Sequence, residues 1–328
     1  MKKIVRIGAI ALIAFAAIGV MSCDWLISAV VMGVNGKAVN VLAEVTSTTD
    51  EYWKGESSSG AAVTLQGATI TFTSLKEGDS TTYSTSVDSS GNWYLSGVSA
   101  GKYRITGSQT GWTFIPMDIE ISGFMSEVTT DVLAYPTPTG NPLMIIVRWN
   151  NELIDIDAHT IIDLDTDLTN YTGGDYVYHA KKTNTLPAAG TVVLDRDVKF
   201  VTSTSSTLNG YPVETVRVIS NPFGSGFTGQ LRYYLQSYSY YNGLSQVTSN
   251  TTLTGDPTAT YTGRADATVY VMLGTEHYGT WTMPIDTAEK TLGILKIDVS
   301  GTSTATNYEI KSFGNEGNTP KSIGAVSL

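Results

Sequence analysis

The sequence predicts an all-β protein made of two tandem β-sandwich domains. Three observations carry that prediction. Stretches alternating Thr, Val, Ile and Tyr stand between clusters of Gly, Asn, Asp and Ser, and few segments show a helical period. Glycine is abundant, at 32 residues, and Ser and Thr are dense throughout, which supplies the turns that short strands need. Finally, Pro136, Pro138 and Pro142 fall in one short stretch. Proline withholds a backbone donor and stiffens an extended chain, so residues 137–142 read as a linker between two domains.

The chain opens on Met1-Lys2-Lys3-Ile4-Val5-Arg6, and an apolar run follows from Ile7 to Val20. A basic start and an apolar stretch of this length fit an export signal. The run is short for a spanning helix, which needs roughly 20 residues. It ends at Val20-Met21-Ser22-Cys23, which resembles the bacterial lipobox. The resemblance implies a signal peptide over 1–22 and lipidation of the Cys23 thiol. It also implies a place in the bacterial cell envelope, periplasmic or cell-surface, with the membrane as partner through the lipid anchor. The alternative is an uncleaved anchor helix, which also tethers the chain. Cys23 is the only cysteine, so the folded part has no disulfide. Residues 23–34 read as the lipidated N-terminus and tether, although Trp25–Val34 is apolar enough to begin the first strand.

Cleavage at Cys23 would remove Lys2, Lys3 and Arg6 and take the formal charge from −10 to −13. A chain this acidic is repelled by nucleic acid and by anionic lipid surfaces.

The first domain is expected over 35–136. Gly67–Thr73 reads as a strand with Ile70 and Phe72 on one face, and Thr81–Val87 as a second. Asp88-Ser89-Ser90-Gly91-Asn92 has turn chemistry, and Trp93-Tyr94-Leu95 follows. Gly97–Ile105 turns into another strand, and Asp118–Ser122 alternates. The "GATITF" strand, the "DSSGNWYLSGVSAGKYRI" stretch and the following "GW" resemble the carboxypeptidase regulatory-like, transthyretin-like sandwich over Gly67–Gly123. That resemblance implies a structural or adhesive module with no catalytic residues of its own. Trp93 and Trp112 read as core residues, because buried aromatics dominate small sandwich cores.

The second domain is expected over 143–328. It opens on the apolar strand Leu143–Trp149. From Trp149 to Ala180 there is no Lys or Arg, while Glu152, Asp155, Asp157, Asp163, Asp165, Asp167 and Asp175 all fall inside. In Asp155-Ile156-Asp157-Ala158-His159, a strand would set Asp155, Asp157 and His159 on one face. Asp195-Arg196-Asp197 repeats the spacing, and Glu214 follows in Pro212-Val213-Glu214. The set resembles exported β-sandwich domains with a D-x-D-x-H strand, a later D-x-D and a P-x-E segment. The later glycine–tyrosine strand of that pattern is one residue longer here, as Gly229–Tyr233.

Hard oxygen donors in this number suit Ca²⁺, which takes 6–8 oxygens. Asp155, Asp157, Asp195, Asp197 and Glu214 are therefore the candidate ligands. The competing reading is a set of solvated carboxylates partly paired with Arg148, Arg196 or Arg217. Asp163–Gly174 is not an EF-hand loop, since Leu168 and Gly174 replace the required Gly and Glu. Further strands are expected at Leu231–Ser239, Ala265–Leu273 and Leu292–Val299.

No residues announce catalysis. His159, His179 and His277 lie in no H-E-x-x-H, and the chain has no G-x-S-x-G elbow, phosphate loop or dinucleotide fingerprint. The function expected is a non-catalytic binding or scaffolding lipoprotein with a protein or glycan partner. A carbohydrate-binding or adhesin module is the alternative, ahead of an unrecognised hydrolase.

Overall fold

The computed structural model describes residues 32–43, 65–122, 127–150, 154–163, 175–185, 188–198, 212–242, 245–248, 264–286, 291–302, 306–312 and 323–327. Cys23 and the leader lie outside these residues. So do Asp165 and Asp167 and the side chains of Asp155 and Tyr238–Tyr241.

The described chain is β-structure throughout. The first module holds β1 (Met32–Asn40), β2 (Thr69–Ser74), β3 (Thr82–Ser86), β4 (Asn92–Val98) and β5 (Gly101–Ser108). It continues with β6 (Trp112–Phe114), β7 (Met117–Ile121), β8 (Glu127–Thr129) and β9 (Val132–Pro136). These form two sheets, ordered β4-β1-β9-β6 with β8 beside β1, and β3-β2-β5-β7. The first sheet starts at Met32, so Met32–Val34 belong to β1 rather than to a tether.

The second module holds β10 (Leu143–Trp149), β11 (Ile154–Asp163), β12 (Asp175–Val177), β13 (Val192–Arg196), β14 (Val213–Val218) and β15 (Gly229–Asn242). It ends with β16 (Ser245–Thr248), β17 (Arg264–Leu273), β18 (Glu276–Asp286), β19 (Thr291–Gly301), β20 (Thr306–Ser312) and β21 (Ile323–Ser327). Its sheets run β13-β14-β10-β17-β18 and β12-β11-β15-β19-β20-β21, with β16 on β15. No described strand of one module pairs with a strand of the other, and residues 137–142 connect them.

Alternation sets the core of the first module. Ile70 and Phe72 of β2 are wholly buried, and Phe72 packs against Trp93 and Tyr103 with ring centroids 5.7 and 6.4 Å apart. Trp93 is therefore core, and Trp112 packs half-buried against it.

Strand β10 departs from alternation. Leu143, Met144, Ile145, Ile146 and Val147 are all fully buried. A strand apolar on both faces needs a cover on each. One face lies against the partner sheet of its own sandwich. The other carries Met144, Ile146 and Arg148, with Tyr270 and Thr268 of β17 opposite Ile146 and Arg148. From this face Arg148 donates to the Asp131 carbonyl at 3.3 Å and to Thr130 Oγ1 at 3.4 Å, both in the first module. The second sandwich thus seats one sheet face on the first, and the buried residues of both form one continuous cluster.

Tyr135 of β9 adds a further tie. It is fully buried, and its hydroxyl donates to the Gly274 carbonyl at 2.7 Å. Tyr135→Phe leaves that buried carbonyl without its donor. The expected cost is about 1–2 kcal/mol, read as a lower midpoint in urea denaturation with an unchanged slope.

Candidate acidic site at the corner of the second sandwich

Strand β11 pairs with β15 along its whole length but with β12 only over Thr160–Ile162. Among the described residues, its edge from Ile154 to His159 has no strand beside it. Glu214 of β14, from the opposite sheet, reaches that edge, and its Oε2 accepts the Ala158 N–H at 2.7 Å. A buried backbone donor at a sheet edge needs such a partner. This explains why a glutamate is fully buried in a strand otherwise rich in valine.

The same corner is where the chain crosses between sheets. After β12, Tyr178 and Lys181 exchange two backbone hydrogen bonds around a tight turn. Thr183 then bridges to Val193 of β13, and the Lys182 carbonyl accepts the Leu194 N–H at 2.8 Å. This path brings His179 and Lys182 to the carboxylates.

Asp157, Asp197 and Glu214 meet there. All three are buried, and a carboxylate oxygen from each lies within 4.8 Å of the others. His179 Nδ1 stands 3.2 Å from Asp157 Oδ2, and Lys182 Nζ stands 3.5 Å from Asp197 Oδ2. Burial pushes the Asp157 carboxyl up from its usual range and Asp197 pushes it further, while His179 pulls against both. Like charges held close out of water resist ionising together unless a cation or proton intervenes.

Of the five carboxylates expected to share a site, three converge. Asp195 does not. A bulge between Leu194 and Arg196 leaves Asp195 as the extra residue, because Leu194 faces Val216 while Arg196 faces Thr215. Asp195 turns to Arg217, which binds it through Nε at 3.0 Å and Nη2 at 2.7 Å. The side chain of Asp155 lies outside the described residues. The remaining described acids of this region are engaged elsewhere. Asp163 accepts from Arg232 at 2.8 Å, and Asp175 binds Lys181 and Thr185.

His159 shares a face with Asp157 but plays a different part. Its ring stacks on Tyr176 and Tyr178, at centroid distances of 5.4 and 6.0 Å, and Nδ1 bonds the Tyr176 hydroxyl. Burial, then the nearby His179, lowers its pKa to about 4. The imidazole is neutral at physiological pH and serves as one plate of an aromatic stack.

Tyr233 of β15 lies on the other face of the sheet, with Ala158 and Thr160, toward the sandwich interior. It sits opposite Thr160 of β11, is fully buried, and its hydroxyl has no hydrogen-bond partner. Burial, and then the charge of Glu214, raises its pKa well above the usual value. Sequence reasoning passed over His179, Lys182 and Tyr233. A turn histidine, a turn lysine and a core-facing tyrosine carry no local signal of a shared destination.

A concavity of about 290 Å³ lies where the modules meet. It is lined by Arg104, Met117 and Asp118 on one side and Tyr270, His277 and Thr280 on the other. Arg104 and Asp118 are paired at 2.8 Å across its rim, and His277 Nε2 is 2.8 Å from Thr280 Oγ1.

No protein-family model and no curated protein matches the chain. Among solved structures it is similar to the major pilin subunit BcpA of Bacillus cereus, with 11% identity, 90% of this chain and 94% of that one covered, and a TM-score of 0.23. It is similar to the full-length major pilin SpaD from Corynebacterium diphtheriae, with 12% identity, coverages of 88% and 87%, and a TM-score of 0.21. The RrgB pilus protein from Streptococcus pneumoniae gives 11%, coverages of 87% and 62%, and 0.19. Likeness at these values carries no statement about the role of this chain.

Proposed function

We propose that this chain is a lipid-anchored, non-catalytic protein of the bacterial cell envelope that holds a binding or scaffolding surface away from the membrane. The observation that supports this most is the seating of one sandwich on the other. Arg148, Tyr135 and the doubly buried β10 join the modules into one body, which suits a spacer that must keep its length and direction. The lipobox-like Val20–Cys23 supplies the tether at one end.

The anchor is tested by metabolic labelling with a palmitate analogue in a bacterial host. The full chain is expected to take up label and to sediment with membranes. Cys23→Ser is expected to lose the label entirely. Label retained by that variant, or a mature wild-type chain beginning elsewhere than Cys23, overturns the anchor.

A glycan-binding or adhesin role is favoured by one observation. Tyr94 on β4 and Phe227 are exposed, at 56% and 63%, and exposed aromatic faces stack on sugars or partners. Glycan-array signal that Tyr94→Ala or Phe227→Ala reduces at least tenfold would select this reading over pure scaffolding.

A further inference from the structure

We infer that Asp157, Asp197 and Glu214 are the protein ligands of a calcium ion that fastens the two sheets of the second sandwich together. The cluster joins three separate elements: β11 in one sheet, β14 in the other, and the segment after β13. The three oxygens are no farther apart than about twice a Ca–O distance of 2.4 Å, so one ion can touch all of them. All are hard oxygen donors, which suit calcium rather than a softer transition metal.

Charge supports the same assignment. Lys182 beside Asp197 supplies one positive charge for three carboxylates, and a divalent cation supplies the remaining two. His179 orients Asp157 through its ring nitrogen, at 3.2 Å. An independent feature stands beside Glu214, on the interior side of the cluster. The Tyr233 hydroxyl is fully buried, has no hydrogen-bond partner, and lies within reach of the Glu214 charge. An unsatisfied buried hydroxyl is costly, and a bound ion with its water offers it a partner. Glu214 is already half fixed for ligation, since one oxygen is held by the Ala158 N–H.

The test uses the full chain in detergent, stripped with chelator and titrated with CaCl₂ or MgCl₂. Calorimetry is expected to show one calcium per chain. Scanning calorimetry is expected to show a Tm rise of about 5–10 °C at a hundredfold excess over Kd. Glu214→Gln keeps an acceptor for Ala158 and is expected to lose the calcium shift. Asp195→Asn, outside the cluster, is expected to retain it. Lys182→Met removes a competing cation and is expected to tighten binding several-fold. Absence of heat and of any Tm shift in the wild type at millimolar calcium overturns the inference, and so does an undiminished shift in Glu214→Gln. A magnesium response exceeding that of calcium overturns the assignment of the ion. None of these readings depends on the lipid anchor.

Discussion

Arg196→Met is expected to lower stability by about 3–5 kcal/mol, among the largest single losses in the molecule. Arg196 is fully buried. Its Nε donates to the Val213 carbonyl at 3.1 Å within its own module, and Nη1 donates to the carbonyls of Asn40 at 3.0 Å and Ala43 at 3.1 Å in the other. Methionine fills similar space but donates nothing, so three buried carbonyls lose a charged donor at once. The loss falls on both modules. Thermal unfolding should begin on the order of 10 °C lower. Amide exchange should quicken around Asn40–Ala43 as well as around Val213. A variant that melts within 2 °C of the wild type would show that these contacts are replaceable by water.

Gly36→Ala is expected to be as damaging, through sterics alone. A methyl group at Gly36 would lie 1.7 Å from the Thr130 carbonyl oxygen and 2.9 Å from the Trp93 ring. The offending oxygen is backbone and its segment is clamped. The Thr130 N–H donates to the Asn35 carbonyl at 2.8 Å, and Asp131 accepts the Lys37 N–H at 3.0 Å. Relief requires β1 to leave β8 and β9, at about 3 kcal/mol or more. The near-ultraviolet dichroism of Trp93 should collapse with it. Gly67→Ala is the control. It also adds one methyl group, but into open space, and costs only the strain of a φ of +83°, about 1 kcal/mol. Equal losses in the two variants would refute the steric account.

How far these features were legible in the sequence depends on how local their causes are. Strands β2, β4, β5, β10, β17 and β19 follow from alternation or apolar runs bounded by turn residues, and each lies where the pattern put it. Asp157 and Glu214 stood out through the Asp155-Ile156-Asp157-Ala158-His159 alternation and the Pro212-Val213-Glu214 segment. The bulge before Arg196 was not legible, because nothing in Val-Val-Leu-Asp-Arg-Asp marks an inserted residue. That single insertion turns Asp195 away to Arg217 and breaks the D-x-D pairing that regular alternation implies. The continuous apolar run of Leu143–Val147 announced a buried strand but could not say what covered its second face. The cover is another module, spanning Met32 to Pro136, and recognising it needs three dimensions. His179 and Lys182 reach the acidic corner by a turn whose course depends on both sheets.

The Arg196 contacts also bear on how the chain assembles. Asn40 and Arg196 are separated by 156 positions, and β1 is itself laid parallel to β8 and β9 from far along the chain. A strand made this early in the chain therefore has to wait, with part of its edge open, for partners made much later. Such distant closures slow folding and expose unpaired backbone to neighbouring chains in the interval. The long stretch between the contacts makes the folding chain, rather than the finished fold, the state most vulnerable to aggregation.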